Sequence, residues 1–170
     1  MRAILNPFIQ ICLLRQGPQD LPTSGILLGI ALTAHTVMSI AWSISLNAGS
    51  ALLSGLLDTL LLVVLTATLL YAQRRKSRVI QTLTALAGTG TIITFLALPV
   101  SGWLRSADQS AGEGGLAVIM LLILTGWSLA VVGHIFRHAL SIPYFFGLLL
   151  AMVFYAISIS AFRALFPGAA

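Results

Sequence analysis

The chain has 170 residues, of which 58% are hydrophobic and 8% charged. A soluble domain carries roughly 25% charged residues, so a water-facing surface is excluded and the bilayer must solvate most of this chain. The net charge of +5 does not point to nucleic acid, because the basic residues sit at the ends of apolar runs and form no separate basic domain.

The lead, residues 1–20, reads as amphipathic and not as a signal peptide. Asn6, Pro7 and Gln10 break its apolar part, and no small-x-small cleavage pattern comes after it. Leu5, Phe8, Ile9, Cys12 and Leu13 recur at helical spacing, and Ile11 and Leu14 widen that face. Two placements fit: a short helix lying among the headgroups, or a lead packed on a helical bundle. Cys12, the lone cysteine, excludes an internal disulfide and any CxxC motif.

Pro18 and Pro22 end the lead, and Thr23 or Ser24 can cap the next helix. Five apolar spans come next, at about residues 24–46, 51–72, 79–103, 115–136 and 143–162. Each approaches the roughly 20 residues needed to cross the hydrocarbon. They are continuous and do not alternate as barrel strands do, so the expected fold is all-α: one polytopic membrane helical bundle with five transmembrane helices. Only Asn47–Ser50 separate the first two spans, which predicts a tight antiparallel hairpin. Pro99 should bend the third helix near one end.

The loop Gln73–Arg78 holds four of the nine basic residues, Arg74, Arg75, Lys76 and Arg78. With that loop in the cytoplasm, Arg2, Arg15 and Arg137 join it. Seven basic residues then lie inside, and only Arg105 and Arg163 lie outside. Asp108 and Glu113 also fall outside. The expectation is a multi-pass protein of the inner (cytoplasmic) membrane, N-terminus inside and C-terminus outside. Trp42 and Trp103 fall near the outer interface, and Tyr71 and Tyr144 near the inner one.

Asp58 is the one acid within a span, about 10 Å in from the outer end of its helix. A charge at that depth costs a few kcal/mol unless paired or hydrated. Folding the hairpin at Asn47–Ser50 brings Ser39 level with Asp58, Thr36 and Ser43 to within a turn of Ser39, and His35 about 6 Å deeper. A His35–Asp58 contact is geometrically allowed. The candidate intramembrane polar site is therefore His35, Ser39, Asp58 and Tyr155. It reads either as a proton or ion relay or binding site, or as a buried acid fixing helix pairing. His35, Trp127 and Tyr155 come out at one depth, where three polar-tipped rings either line a small cavity or pack as core.

His134 and His138 share a helix face with Arg137 beside them. With no acid or cysteine nearby in sequence, the expected role is cationic contact with anionic headgroups, not a metal or haem site. Arg74, Arg75, Lys76, Arg78 and Arg137 are the topology and headgroup residues. Small residues at Gly25 and Gly29, and at Thr84, Gly88 and Thr91, predict close helix packing. Gly25 and Gly29 also offer a surface for self-association. No catalytic motif is present, so no enzyme activity and no cofactor or metal is expected, and the partners are the lipid bilayer and other membrane proteins.

The layout resembles the Yip (Ypt-interacting protein) family of small membrane proteins. The resemblance rests on Asn6-Pro7-Phe8 … Leu21-Pro22, five closely spaced helices, the tight first hairpin, and Arg137-His138-Ala139-Leu140 before the last helix. It implies an integral membrane protein with a cytosolic N-terminus. For eukaryotic members it implies contacts with trafficking GTPases and membrane-shaping partners. It carries no residue roles. The expected function is a non-enzymatic structural or interaction component of an inner-membrane assembly, with a small proton-linked transporter or channel using Asp58 and His35 as the alternative.

Overall fold

A computed structural model of the chain describes residues 2–46, 48–107 and 114–166. Asn47, Asp108 and Glu113 lie outside the described residues, as does the side chain of Arg2. Among the described residues six α-helices succeed one another: α1 Arg2–Cys12, α2 Gly25–Leu46, α3 Ala51–Ala72, α4 Val79–Ala107, α5 Gly114–Leu140 and α6 Tyr144–Leu165. Among the described residues there is no strand. The last five helices are long and apolar enough to cross a membrane. In hydrocarbon every backbone N–H and C=O needs an internal partner, and continuous helices supply it.

The helices match the expected spans, with α4, α5 and α6 each running a few residues further at the C-terminal end. α4 continues through Pro99 to Ala107, and α5 carries His134, Arg137 and His138 in its last turns, leaving only residues 141–143 as the link to α6. Ser24 begins α2 as expected, its Oγ accepting from Leu27 N at 3.3 Å.

α2–α3 and α5–α6 are antiparallel hairpins, and α4 packs between them against α2 and α5. α4 is the central helix, with 44% of its most apolar stretch buried against 22% or less for the other spans. Its run Thr82–Ala87 is wholly buried. Small side chains there allow close backbone approach, and the threonine hydroxyls satisfy themselves on the preceding turn, Thr82 on Arg78 O and Thr84 on Ile80 O, both at 2.7 Å.

Gly25 and Gly29 do not contribute to this packing. Both are exposed, and a Cβ on either would meet nothing within 4 Å. The close approaches are elsewhere: Gly55 lies against the backbone of Ile40, Gly147 against Gly133 O, and Gly88 against the ring of Phe8.

The basic loop is tied to the α5–α6 link. Arg78 donates to His138 O at 2.9 Å, Ala139 O at 3.0 Å and Ser141 Oγ at 2.9 Å, and Arg75 donates to the same Oγ at 2.9 Å. A guanidinium here meets the orphan carbonyls and the negative end of α5. Both turns use a non-glycine residue in the left-handed region, Arg74 at φ 55° and Ser141 at φ 53°. The two loops therefore share one end of the bundle, called here the basic end. Lys76 stands 5.4 Å over the ring of Tyr71, while Arg74 and Arg137 are exposed.

The lead is packed into the bundle, not laid among headgroups. Phe8, Ile11, Cys12 and Leu21 are buried, while Leu5 and Ile9 of α1 and Leu13 just after it stay exposed. Its contacts step along α5: Gln19 meets His138 Nδ1 at 3.3 Å, Gln16 O meets His134 Nε2 at 3.0 Å, and Cys12 O accepts from Trp127 Nε1 at 2.9 Å. From His138 to Trp127 is roughly 16 Å of helix, so the lead runs about halfway along α5. Gln81 of α4 covers the other side, donating to Leu21 O at 2.6 Å and Gln19 O at 3.3 Å. Gly17 N donates to Asp20 Oδ2 at 2.8 Å. Irregular backbone is tolerated at such depth only where protein satisfies it, and these side chains do so.

Candidate functional site

The first hairpin builds one wall of the site. His35 and Ser39 are one turn apart on α2, so they share a face. The close approach of Gly55 to Ile40 brings α3 up to that face. Ser39 Oγ donates to Asp58 Oδ2 at 2.5 Å, and His35 Nε2 lies 3.1 Å from the same oxygen. Thr36 turns instead to Thr59, the two hydroxyls 2.9 Å apart. Gly90 of α4 clears room for the imidazole, since a Cβ there would stand 3.1 Å from His35 Cε1 and Nδ1.

The second hairpin builds the opposite wall. Ser128 of α5 and the hydroxyl of Tyr155 on α6 are 2.6 Å apart. Between the walls lies a cavity of 590 Å³, lined by His35, Ser39, Asp58, Ser128 and Tyr155, with Arg163 two turns beyond Tyr155. Its lining comes from the halves of α2, α3 and α6 away from the basic loops. At the basic end the walls close, where Leu70 of α3 joins Leu140 and Leu150 in one apolar cluster. The volume falls in the roughly 300–1,000 Å³ range of small-molecule sites.

Two features of the polar pair are unusual for a group that serves packing alone. Asp58 keeps 37% of its side chain exposed and is one of the residues that line the cavity. His35 is 7% exposed, yet its Nδ1 has no partner and its Nε2 approaches Asp58 without hydrogen-bond alignment. A buried polar atom without a partner costs about 1–3 kcal/mol.

The structure thus brings His35, Ser39, Asp58 and Tyr155 to one cavity, with Ser43 on its lining as well. It removes Trp127 from that ring, because its indole points to Cys12 O. It also removes His134 from headgroup contact: the ring is buried and bound to Gln16 O, and His138 packs edge-on against it at 4.5 Å. Tyr144 sends its hydroxyl to Ala130 O at 3.3 Å and Trp42 lines the cavity, so neither is a simple belt residue. Among the described residues no three His, Cys, Asp or Glu side chains group as metal ligands. Gly90, Ser128 and Arg163 carry no mark in the sequence that assigns them to the site. The Gly-Thr-Gly-Thr run 88–91 is the available signal for Gly90, but it reads equally as packing.

The fold defines a multi-pass α-helical membrane protein. No protein-family model matches the chain, and neither does any curated protein or solved structure.

Proposed function

We propose that the protein binds a small organic molecule between its two hairpins, and that binding is linked to protonation of the His35–Asp58 pair, as in a small proton-linked transporter. One observation carries this: a carboxylate in the apolar layer, held by Ser39 and His35, opens onto a 590 Å³ cavity. A carboxyl kept only to pair helices has no use for an open face, and intramembrane acids facing a cavity mark binding and proton pathways. We place the chain in a cytoplasmic membrane with the basic end inside, on the bias of seven basic residues to two. The cavity then faces the extracytoplasmic half.

The test is transport by the full chain in proteoliposomes, with an imposed pH gradient and a panel of small organic solutes. Uptake or efflux that tracks the gradient and disappears in Asp58→Asn at unchanged thermal stability is expected. Equal activity in Asp58→Asn would defeat the proposal.

A second role, as a component of a membrane assembly, is favoured by the open Gly25–Gly29 stripe, against which a helix of another chain could pack closely. A fixed partner co-purifying in mild detergent and lost in Gly29→Leu would support it.

A further inference from the structure

We propose that the ligand of this cavity is an apolar organic cation, held at Asp58 and exchanged there for a proton; the proposal rests on the binding role above. The groups facing the pair decide the sign of charge. α2 brings His35 and α3 brings Asp58. α4 and α5 line the cavity with hydroxyls, glycine and apolar side chains only, among them Thr89, Gly90 and Ser128. α6 brings Tyr155 and, farther along, Arg163. Without its exchangeable proton the pair carries one negative charge in a site of low polarity. One cation neutralises it, either a proton or an organic ammonium or phosphonium group. An anion would stand against the carboxylate.

The walls suit such a body. Tyr155, Phe154, Trp42 and Phe162 all line the cavity, and aromatic faces attract cations once water is excluded. The unpartnered nitrogen of His35, more than nine-tenths buried at the cavity wall, marks a site whose polar groups are incomplete without a guest. Arg163 lies about 12 Å along α6 from Tyr155, near the helix end where water screens it. It opposes a cation weakly from the rim. In the exchange the cation takes the place of the proton on the pair, and that proton leaves to water.

The experiment uses the purified full chain in detergent and two probes of one shape and opposite charge, tetraphenylphosphonium and tetraphenylborate. Tetraphenylphosphonium should bind and release a proton into weakly buffered solution. Its affinity should rise roughly tenfold per pH unit while the pair is mostly protonated, and level off above that range. Asp58→Asn should abolish binding, and Arg163→Gln should strengthen it a few-fold. Proton release by the unmodified protein keeps the test sound if Asp58→Asn folds poorly. Binding of tetraphenylborate in preference, with weakening in Arg163→Gln, would overturn the cation proposal and leave the binding role standing. Cation binding without proton release would overturn the exchange. Failure of both probes and of neutral solutes would overturn the cavity as a binding site altogether.

Discussion

At the basic end of the bundle, polar side chains terminate on backbone carbonyls; at the other end of the same helices, they face an open cavity. Arg78, Gln81, Trp127 and His134 each bind a main-chain oxygen of the α5 terminus or the lead. Asp58 and Tyr155 bind other side chains, His35 stands beside Asp58, and all three line the cavity. Thr66 apart, both arrangements obey one rule, that polarity inside lipid must be satisfied or be useful. The first half uses it to anchor a buried irregular segment. The second presents it to the cavity.

Both halves depend on the α5–α6 contact, and the largest effect is expected there. A side chain at Gly147 would run into Gly133 O and stand 3.0 Å from Arg137 N. Gly147→Leu should cost about 3 kcal/mol or more, seen as lost folded yield and a lower Tm in detergent. Gly25→Leu, facing open space, should change little. If Gly25→Leu were the damaging one, the assignment of packing and free glycines would be reversed.

The docked lead comes next. Burial pushes the Cys12 thiol up from 9.0 to about 11. At pH 8 the thiolate should be about a hundredfold rarer than on a free cysteine, so maleimide labelling should be slow until the chain is denatured. The folded state holds this proton more tightly than the unfolded one. Its stabilisation is therefore complete below pH 9 and is lost as pH rises through 11. Rapid native labelling at pH 8 would put the lead out among the headgroups after all.

Arg78→Ala removes three hydrogen bonds from the α5 terminus. It should destabilise by about 2 kcal/mol, as charged hydrogen bonds do. Arg74→Ala, at an exposed position, should stay within about 0.5 kcal/mol. Equal effects in thermal unfolding would mean that the loop acts through charge alone.

The smallest effect separates the two halves most finely. Thr66 is fully buried in the basic half of α3, and its hydroxyl has no partner. Thr66→Val should raise stability by about 1 kcal/mol and leave ligand binding unchanged. A loss of binding would extend the polar site below the cavity.

The number of spans, their limits to within a few residues, and the depth match of Ser39 with Asp58 were all legible in the sequence. Those are local properties: the length of an apolar run, and a short link that sets two helices in register at about 1.5 Å per residue. The placement of the lead, the faces used by the glycines and the roles of His134 and His138 were not legible there. Helices that are apolar nearly all round carry little signal for which face meets a neighbour, so Gly25 and Gly29 looked like packing residues while Gly133 and Gly147 did not. Gln81, Trp127 and His134 looked unrelated, because the carbonyls they satisfy are far away in the chain. The cavity lies beyond the cluster that joins Leu70 to Leu150 and takes its lining from all five long helices, so it is written in no single segment.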